Sequence, residues 1–157
     1  MSDRSLNFLC ISTFFKGVDF LKRCKLEGNN VYLLTMKKLE HENWPHESLD
    51  DIFYIDTWND RDISKGIAYK YRTIKFDRFV ALDDFDVEKV ASLREHFRMP
   101  GMGRTTSHYF RDKLAMRIKA KTEGLITKLK PLLDELTEKG VWISDNLKRD
   151  ILSKLGE

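Results

Sequence analysis

The stretch 6-LNFLCISTFFKGVDFLKRCKLEGNNVYLLTM-36 decides the fold, because it holds two short apolar runs separated by a helical pattern. The runs at 6–11 and 31–36 are nearly continuous rather than alternating, which is typical of strands buried on both faces of a parallel sheet. The segment between them ends at Gly28, a residue type that commonly terminates helices, and its apolar stripe comprises Val18, Phe20, Leu21, Cys24 and Leu26. The stretch therefore predicts one strand–helix–strand unit.

A second unit of the same kind follows downstream. Apolar runs at 52-IFYI-55 and 79-FVAL-82 flank 60-DRDISKGIAYKYRT-73, which opens with an Asp-rich capping region and places Ile63, Ile67 and Tyr71 at four-residue spacing. The link at 37–50 is less regular and predicts only a short helical turn. Four buried strands alternating with helices predict an α/β fold, with a four-stranded parallel, Rossmann-like sheet flanked by helices.

Beyond the fourth run the pattern predicts a helical C-terminal segment. Asp86 is predicted to cap a helix that Pro100 and Gly101 stop. One long helix is then predicted to run to about Thr122, capped by Thr105, Thr106 or Ser107. Two more helices follow: one carries Leu125, Ile126, Leu129, Leu132, Leu133 and Leu136 and ends at Gly140, and one is capped by Ser144 and carries Leu147, Ile151, Leu152 and Leu155. We expect residues 1–103 to form the α/β domain and 104–157 a helical extension packed on it.

Composition favours a compact protein of the cytoplasm. The 157 residues are 34% charged and 41% apolar, and no apolar run is long enough to span a bilayer or to form a signal peptide. The two cysteines, Cys10 and Cys24, suit reduced thiols better than a disulfide framework. Residues 94–157 hold 14 Lys and Arg against 9 Asp and Glu, a bias that a solvated helix face explains more simply than an anionic ligand.

Several local patterns are weighed as sites, and most favour a structural interpretation. Parallel sheets bind ligands beyond the carboxyl ends of their strands, which here are followed by 12–17, 56–60 and 83–86. The first of these loops lacks the G-x-G-x-x-G pattern of dinucleotide sites. Two interpretations of 101-GMG-103 remain open, a phosphate cradle and, favoured, a turn into a helix. Cation binding at 83-DDFD-86 is likewise weighed against helix capping and solvation.

The histidines do not indicate a catalytic or metal site. His41 and His46 lie among glutamates, but their spacing fits no tight metal-ligand template. His96 and His108 lack a nucleophile or paired carboxylate nearby in the sequence, so no triad can be assigned. Tyr109 and neighbouring cations permit a nucleic-acid interpretation, which is the weaker alternative because no known RNA- or DNA-binding module surrounds them.

The continuous stretch 79-FVALDDFDVEKVASLREHFRMPGMGRTTSHYFRDKLAMRIKAKTEGL-125 resembles the end of the pre-ATP-grasp domain and the start of the nucleotide-binding region in ATP-grasp ligases. The resemblance extends back through 13–35 and covers about residues 5–124. Its most specific pieces are the strand followed by DDFD, the "LRE…PG" segment and the "RDK…M" helix. In such ligases ATP and magnesium activate a carboxylate as an acyl phosphate, which an amine or thiol then captures. The resemblance implies that Lys113 contacts the ATP phosphates, with Arg111 and Arg117 as secondary contributors.

The resemblance stops after this helix. The second phosphate-binding lysine, the hinge and the magnesium ligands of an ATP-grasp enzyme have no counterparts in 125–157, and 118-IKAKTEGLITKLKPLLDELTEKGVWISDNLKRDILSKLGE-157 instead resembles the closing helices of PIN-like, toxin-associated proteins. The chain is therefore interpreted as a truncated or chimeric ATP-grasp N-terminal domain without complete ligase machinery. No residue is assigned a catalytic or metal-binding role.

Two alternatives to this interpretation stay open. The first is a subunit of a split ATP-grasp ligase, completed by a partner chain that supplies the grasp domain. The second is a non-catalytic interaction or structural module, with a homodimer as one form. A small-molecule metabolite is a further candidate ligand, whereas a membrane or nucleic-acid partner is disfavoured. The substrate and the oligomeric state are left open by the sequence.

Overall fold

The computed structural model describes residues 4–139 together with Ser144, Asn146, Arg149 and Ser153. The chain divides into two compact units, Met1–Ser107 and His108–Glu157. Of the predicted final helix only Ser144, Asn146, Arg149 and Ser153 are described, and its apolar residues Leu147, Ile151, Leu152 and Leu155 lie outside the described residues, as do Gly140 and the side chains of Leu125, Ile126 and Leu129. That residues 104–157 pack on the first domain stays a prediction.

The sheet of the first unit has four parallel strands, as predicted. They are β1 (Asn7–Ser12), β2 (Asn30–Met36), β3 (Asp51–Ile55) and β4 (Arg78–Ala81). The strand order is β3-β2-β1-β4, so β1 lies between β2 and β4. Cys10 of β1 is in register with Leu33 of β2 and with Val80 of β4. Each strand begins and ends within one residue of its predicted bounds, because its apolar run is buried on both faces.

Three helices cover the two faces of this sheet. They are α1 (Val18–Leu26), α2 (Asp60–Lys70) and α3 (Val87–His96). Cys10 packs with Leu21 of α1 on one face, whereas its neighbours Leu9 and Ile11 pack with residues of α2 and α3 on the other. This alternation follows from the two-residue period of a strand. The link from β2 to β3 holds two short 3₁₀ turns, Lys37–Leu39 and His46–Ser48.

Asp86 is the N-cap residue of α3, as predicted, but the expected role of its side chain is wrong. Asp86 precedes α3, but its side chain makes no capping bond to that helix and is fully buried in contact with β1 instead. The side chain of Asp83 caps the short turn Asp84–Asp86 by accepting from the Phe85 N–H. The cap of α2 is Asn59, directly before the Asp-rich segment; its side chain accepts from the N–H groups of residues 61 and 62.

The long helix predicted to end near Thr122 is also wrong, because it is interrupted. Helix α4 (Arg104–Arg111) ends before Asp112, and α5 (Lys113–Thr122) begins after it. Asp112 takes an extended backbone conformation, with φ −94° and ψ 113°, and its carboxylate accepts from the N–H groups of Leu114 and Ala115. An Asp that caps a helix in this way starts a new helix instead of continuing the old one.

In the second unit, α5 is followed by α6 (Leu125–Glu138), and the two helices contact each other. Gly124 separates them with a φ of 65°, which a residue without Cβ adopts readily. Helix α6 contains Pro131 in its interior. Within the described part of the chain, no helix is both long and apolar enough to cross a membrane.

Candidate functional site

The order of the strands places a topological switch point between β1 and β4. Helix α1 follows β1 on one face, whereas α3 follows β4 on the other. Loops that leave neighbouring strands toward opposite faces open a crevice at the carboxyl edge, and ligands of open α/β sheets bind there. The loops after β1 and β4 are therefore the first place to look for a ligand site.

Asp86 occupies this crevice from within the chain. Its Oδ2 accepts from the Thr13 backbone N–H at 2.7 Å, and its Oδ1 accepts from the Thr13 hydroxyl at 2.7 Å. Lys89 Nζ lies 2.9 Å from the same Oδ1 and also 5.1 Å from the centre of the Trp58 ring. A buried charge requires partners of this kind. The backbone donor that could hold an anionic ligand is thus already bonded to a carboxylate of the protein.

The two loops also approach each other closely. Gly17 begins α1 in the left-handed region with φ 80°, and a Cβ placed on it would lie 2.7 Å from the Cβ of Leu82. The ring centres of Phe14 and Phe85 are 5.3 Å apart across the same opening. The loops after β1 and β4 are therefore in contact with each other at the switch point.

The "LRE…PG" segment is likewise used to hold the fold together. Leu93 is a core residue, and the guanidinium of Arg94 donates to the Phe79 carbonyl from Nε at 2.9 Å and Nη2 at 2.6 Å, and to the Met102 carbonyl at 3.2 Å. Burial lowers the pKa of Arg94 from its ordinary value. These bonds fasten the end of α3 to strand β4 and to the turn that follows.

The structure of 101–103 favours a turn into a helix over a phosphate cradle. Glu95 Oε1 accepts from the Arg104 N–H at 2.7 Å, at the first residue of α4. A Cβ at Gly103 would lie 2.6 Å from the same oxygen, so a side chain at this position would require the Glu95 carboxylate to shift. A carboxylate of the protein fills the position that a phosphate would take at a helix N-terminus.

The three basic residues implied by the ATP-grasp resemblance lie on either side of the break at Asp112. Lys113 is the first residue of α5, and Arg117, four positions later, lies on the same face of that helix. Arg111 ends α4, on the far side of the break. The structure therefore groups Lys113 with Arg117 and puts Arg111 on a different helix.

Asp112 holds the backbone donors that a phosphate at this helix end would need. Hydrogen bonds from the N–H groups of Ala115 and Leu114 lower the pKa of Asp112, and charge attraction from His108 acts in the same direction. His108 Nε2 lies 3.3 Å from Asp112 Oδ2, so this histidine does have a carboxylate partner that the sequence analysis missed. The side chains of Lys113 and Arg117, which share one face of α5, are then the groups at this helix start that could attract a nucleotide.

A cavity of about 400 Å³ lies between α2 and strands β2 and β3. Its floor is apolar and is formed by Leu9, Leu34, Phe53, Ile63, Ile67 and Phe76. Polar residues surround it: Asp56, Thr57, Asn59 and Asp62 belong to the loop after β3 and the start of α2, and Lys70 ends α2. Sequence reasoning placed 56–60 at the ligand-binding edge but missed Asp62, Gly66 and Lys70. A glycine inside a helical pattern, as at Gly66, was the signal that could have indicated the cavity.

The cysteines and candidate metal ligands are placed as follows. Cys10 and Cys24 are both buried and free, and burial raises the pKa of each thiol. Among the residues that the structure describes, no group of three or more His, Cys, Asp or Glu side chains is arranged to hold a metal ion.

Comparison with known proteins gives one family model for the C-terminal part of the chain and one solved structure with a similar fold. A family model described as a PIN domain, DUF3368, matches residues 113–157. The chain is similar in structure to an L-amino acid ligase from Bacillus licheniformis, with a TM-score of 0.66 and 16% sequence identity. That similarity covers 77% of this chain but only 29% of the ligase chain. No curated protein matches the chain.

The similarity to the ligase is one of fold, because the two sequences are only 16% identical. It supports the ATP-grasp N-terminal-like fold that the sequence predicts. The PIN match falls on the segment for which the sequence resembles PIN-like proteins, and it covers less than a third of the chain. The chain spans 29% of the ligase chain that it resembles.

Proposed function

We propose that the chain is a non-catalytic ATP-grasp N-terminal-like domain joined to a PIN-like helical segment. We propose also that it binds a nucleotide only weakly. The observation that carries this proposal is that residues of the ATP-grasp-like motifs form hydrogen bonds within the protein itself. Asp86, Arg94 and Glu95 belong to the pieces that most resemble ATP-grasp ligases, yet each is bonded to the chain's own backbone. They therefore maintain the fold, and the electrostatic clamp that phosphoryl transfer needs is not formed by them.

Weak affinity for ATP is assigned to the face of α5 that carries Lys113 and Arg117. Both side chains are exposed, so water and salt screen their attraction for a polyphosphate. The nearest helix N-terminus offers little more, because Asp112 accepts from its N–H groups. In this proposal Lys113 matches the phosphate-contacting lysine of ATP-grasp ligases but lacks the other ligands that would make it part of a catalytic centre.

Turnover measurements test the proposal directly. ADP release is measured on the purified chain with Mg-ATP and mixtures of carboxylates and amines, and we expect no release above that of the buffer. Turnover that survives repeated purification and disappears in Lys113→Ala would contradict the proposal. A split ligase would instead show turnover only after a grasp-domain partner is added, and a neighbouring reading frame would encode that partner.

A second candidate function, an interaction module, is favoured by the surface of α5. This helix has no buried residue, and Leu114, Met116 and Ile118 are 67%, 45% and 57% exposed. Apolar side chains gathered on one helix are typical of surfaces that bind another protein or a second copy. Light scattering tests this candidate: a dimer that Ile118→Asp dissociates supports it, and a monomer at all concentrations contradicts the homodimer.

A further inference from the structure

The cavity beside α2 has the size and lining of a ligand site. Its volume of about 400 Å³ falls within the range of roughly 300–1,000 Å³ typical of pockets that bind small molecules. The floor is made by side chains that are nearly inaccessible, including Leu9 at 0% and Phe76 at 2% exposure. A molecule in this cavity would therefore lie outside the core and contact Phe53 and Ile55, the half-buried apolar residues that also line the cavity.

Gly66 keeps the wall of this cavity open. It lies in the middle of α2, and a Cβ placed on it would meet no atom within 4 Å. A glycine inside a helix costs about 1 kcal/mol relative to alanine. Gly66 does not adopt a positive φ, and no close approach of another element requires it. The one visible effect of the missing side chain is the space that it leaves at the cavity wall.

The uncompensated charge around the cavity is negative. Asp56 and Asp62 line it, and their carboxylates make no hydrogen bond or ion pair with other residues in the described part of the chain. Asp62 also complements the dipole of α2, but Asp56 precedes the helix and has no such role. Lys70 is already engaged, because its Nζ lies 3.4 Å from Asp51 Oδ2 and 4.4 Å from the centre of the Phe53 ring.

We propose that this cavity binds a small organic cation, a primary amine or guanidine that carries an aliphatic or aromatic arm. The arm packs against the half-buried side chains of Phe53 and Ile55, and the cationic group lies at Asp56 and Asp62. A carboxylate next to the amine weakens binding, because it would face the same two carboxylates. This site shares no residue with the face of α5 that is proposed to bind a nucleotide, so the proposal stands or fails independently of the proposed function.

Matched probes test the charge preference. Phenethylamine and 3-phenylpropionate have similar arms and opposite charges, and their binding to the full chain is measured by NMR titration without nucleotide. We expect the amine to bind about thirtyfold more tightly than the carboxylate, since one favourable and one unfavourable contact of about 1 kcal/mol each, about 2 kcal/mol together, separate them. Equal binding of the two probes, or no binding of the amine, overturns the proposal.

Variants locate the binding. Gly66→Leu fills the cavity and should abolish amine binding, whereas Gly66→Ala should raise the melting temperature and change the affinity by no more than about twofold. Asp56→Asn with Asp62→Asn should weaken binding about fivefold or more. Asp19→Asn, an exposed change in α1 on the opposite face, is the control and should have no effect. If Gly66→Leu does not fold, the aspartate variants still decide, and undiminished binding in them overturns the proposal.

Discussion

Thr13, directly after β1, donates both its backbone N–H and its hydroxyl to the carboxylate of Asp86, each at 2.7 Å. The two residues are 73 positions apart in the chain. Their bonds join the loop that leads to α1 on one face of the sheet with the loop that leads to α3 on the other. In this protein the crevice at which open α/β sheets bind ligands contains hydrogen bonds that connect the two loops.

Replacing Asp86 should destabilise the first unit strongly. Asp86→Ala leaves the Thr13 N–H and hydroxyl without their acceptor in a buried site, and we expect a loss of about 3 kcal/mol or more in the free energy of unfolding. Asp86→Asn keeps one acceptor but turns an amide toward Lys89, so it should cost about 2 kcal/mol. Urea denaturation measures both. Asp84→Asn, at an exposed neighbour, should stay within about 0.5 kcal/mol of the wild type.

The approach of the loops can be measured at Gly17, with Gly28 as a matched control. Both glycines have a φ of 80°, but a Cβ at Gly17 would lie 2.7 Å from Leu82, whereas one at Gly28 would meet nothing within 4 Å. Gly28→Ala should therefore cost only the conformational penalty, about 1 kcal/mol. Gly17→Ala should cost at least about 1 kcal/mol more. Equal losses for the two variants would mean that the loops do not press on each other.

The sequence predicted elements whose signals are local and missed features that depend on distant partners. The strands were found because each is an apolar run buried on both faces. The direction of the Asp86 side chain could not be predicted, since a capping position near a helix and a bond to Thr13 look alike in sequence. The break at Asp112 was missed because "RDK" continues a helical pattern on both sides, and only the cap geometry separates the two helices.

The candidate sites were predicted less completely than the fold, because they too depend on residues that are distant in the sequence. Lys113 and Arg117 are four residues apart, so their shared face followed directly from helical spacing. The cavity combines strands β2 and β3 with α2, and no single stretch of sequence contains its outline. Gly66 alone carried a local signal, which becomes informative only when the space beside it is known.

Alkaline pH should destabilise the fold through Cys10. Burial, reinforced by the neighbouring Cys24, raises the pKa of the Cys10 thiol in the folded protein, whereas an unfolded thiol has a pKa of about 8.5. Above that pH the unfolded chain releases a proton that the folded chain retains, so stability falls as pH rises, by about 1.4 kcal/mol per pH unit for each such thiol. Melting curves between about pH 8.5 and 10 should show the loss. Cys10→Val should reduce its slope, and an unchanged slope would contradict this assignment.

Nucleotide binding, if it is measured, should be weak and should run through Lys113. Calorimetry with Mg-ATP should give a dissociation constant of about 1 mM, on the order of −4 kcal/mol, weakening further in Lys113→Ala and in high salt. Lys119→Ala is the control on the same helix, because Lys119 already pairs with Glu123 at 2.5 Å. A micromolar constant that Lys113→Ala leaves unchanged would place the nucleotide elsewhere on the chain.

We expect the C-terminal helical segment to contribute to the stability of the protein. Two neighbouring leucines of α6 differ sharply in burial, since Leu133 is 7% exposed and Leu132 is 49% exposed. Burying a leucine completely contributes roughly 1.5–3 kcal/mol, and a buried carboxylate in its place is more costly still. Leu133→Asp should therefore lower the melting temperature by several degrees or dissociate a dimer, whereas Leu132→Asp should change it little.

Deleting residues 126–157 extends this test to the whole segment. If the segment packs against the α/β layer or against its copy in a dimer, its removal uncovers apolar surface that water does not tolerate, and the shortened protein should aggregate or unfold at a lower temperature. Light scattering and thermal melts measure both effects at matched concentrations.

The paired leucine variants then separate two explanations for such a result. Sensitivity at Leu133 alone indicates specific packing, whereas equal sensitivity at Leu132 and Leu133 indicates only that added charge disfavours the helix. A deletion variant that stays monomeric and melts at the temperature of the full chain would contradict the prediction.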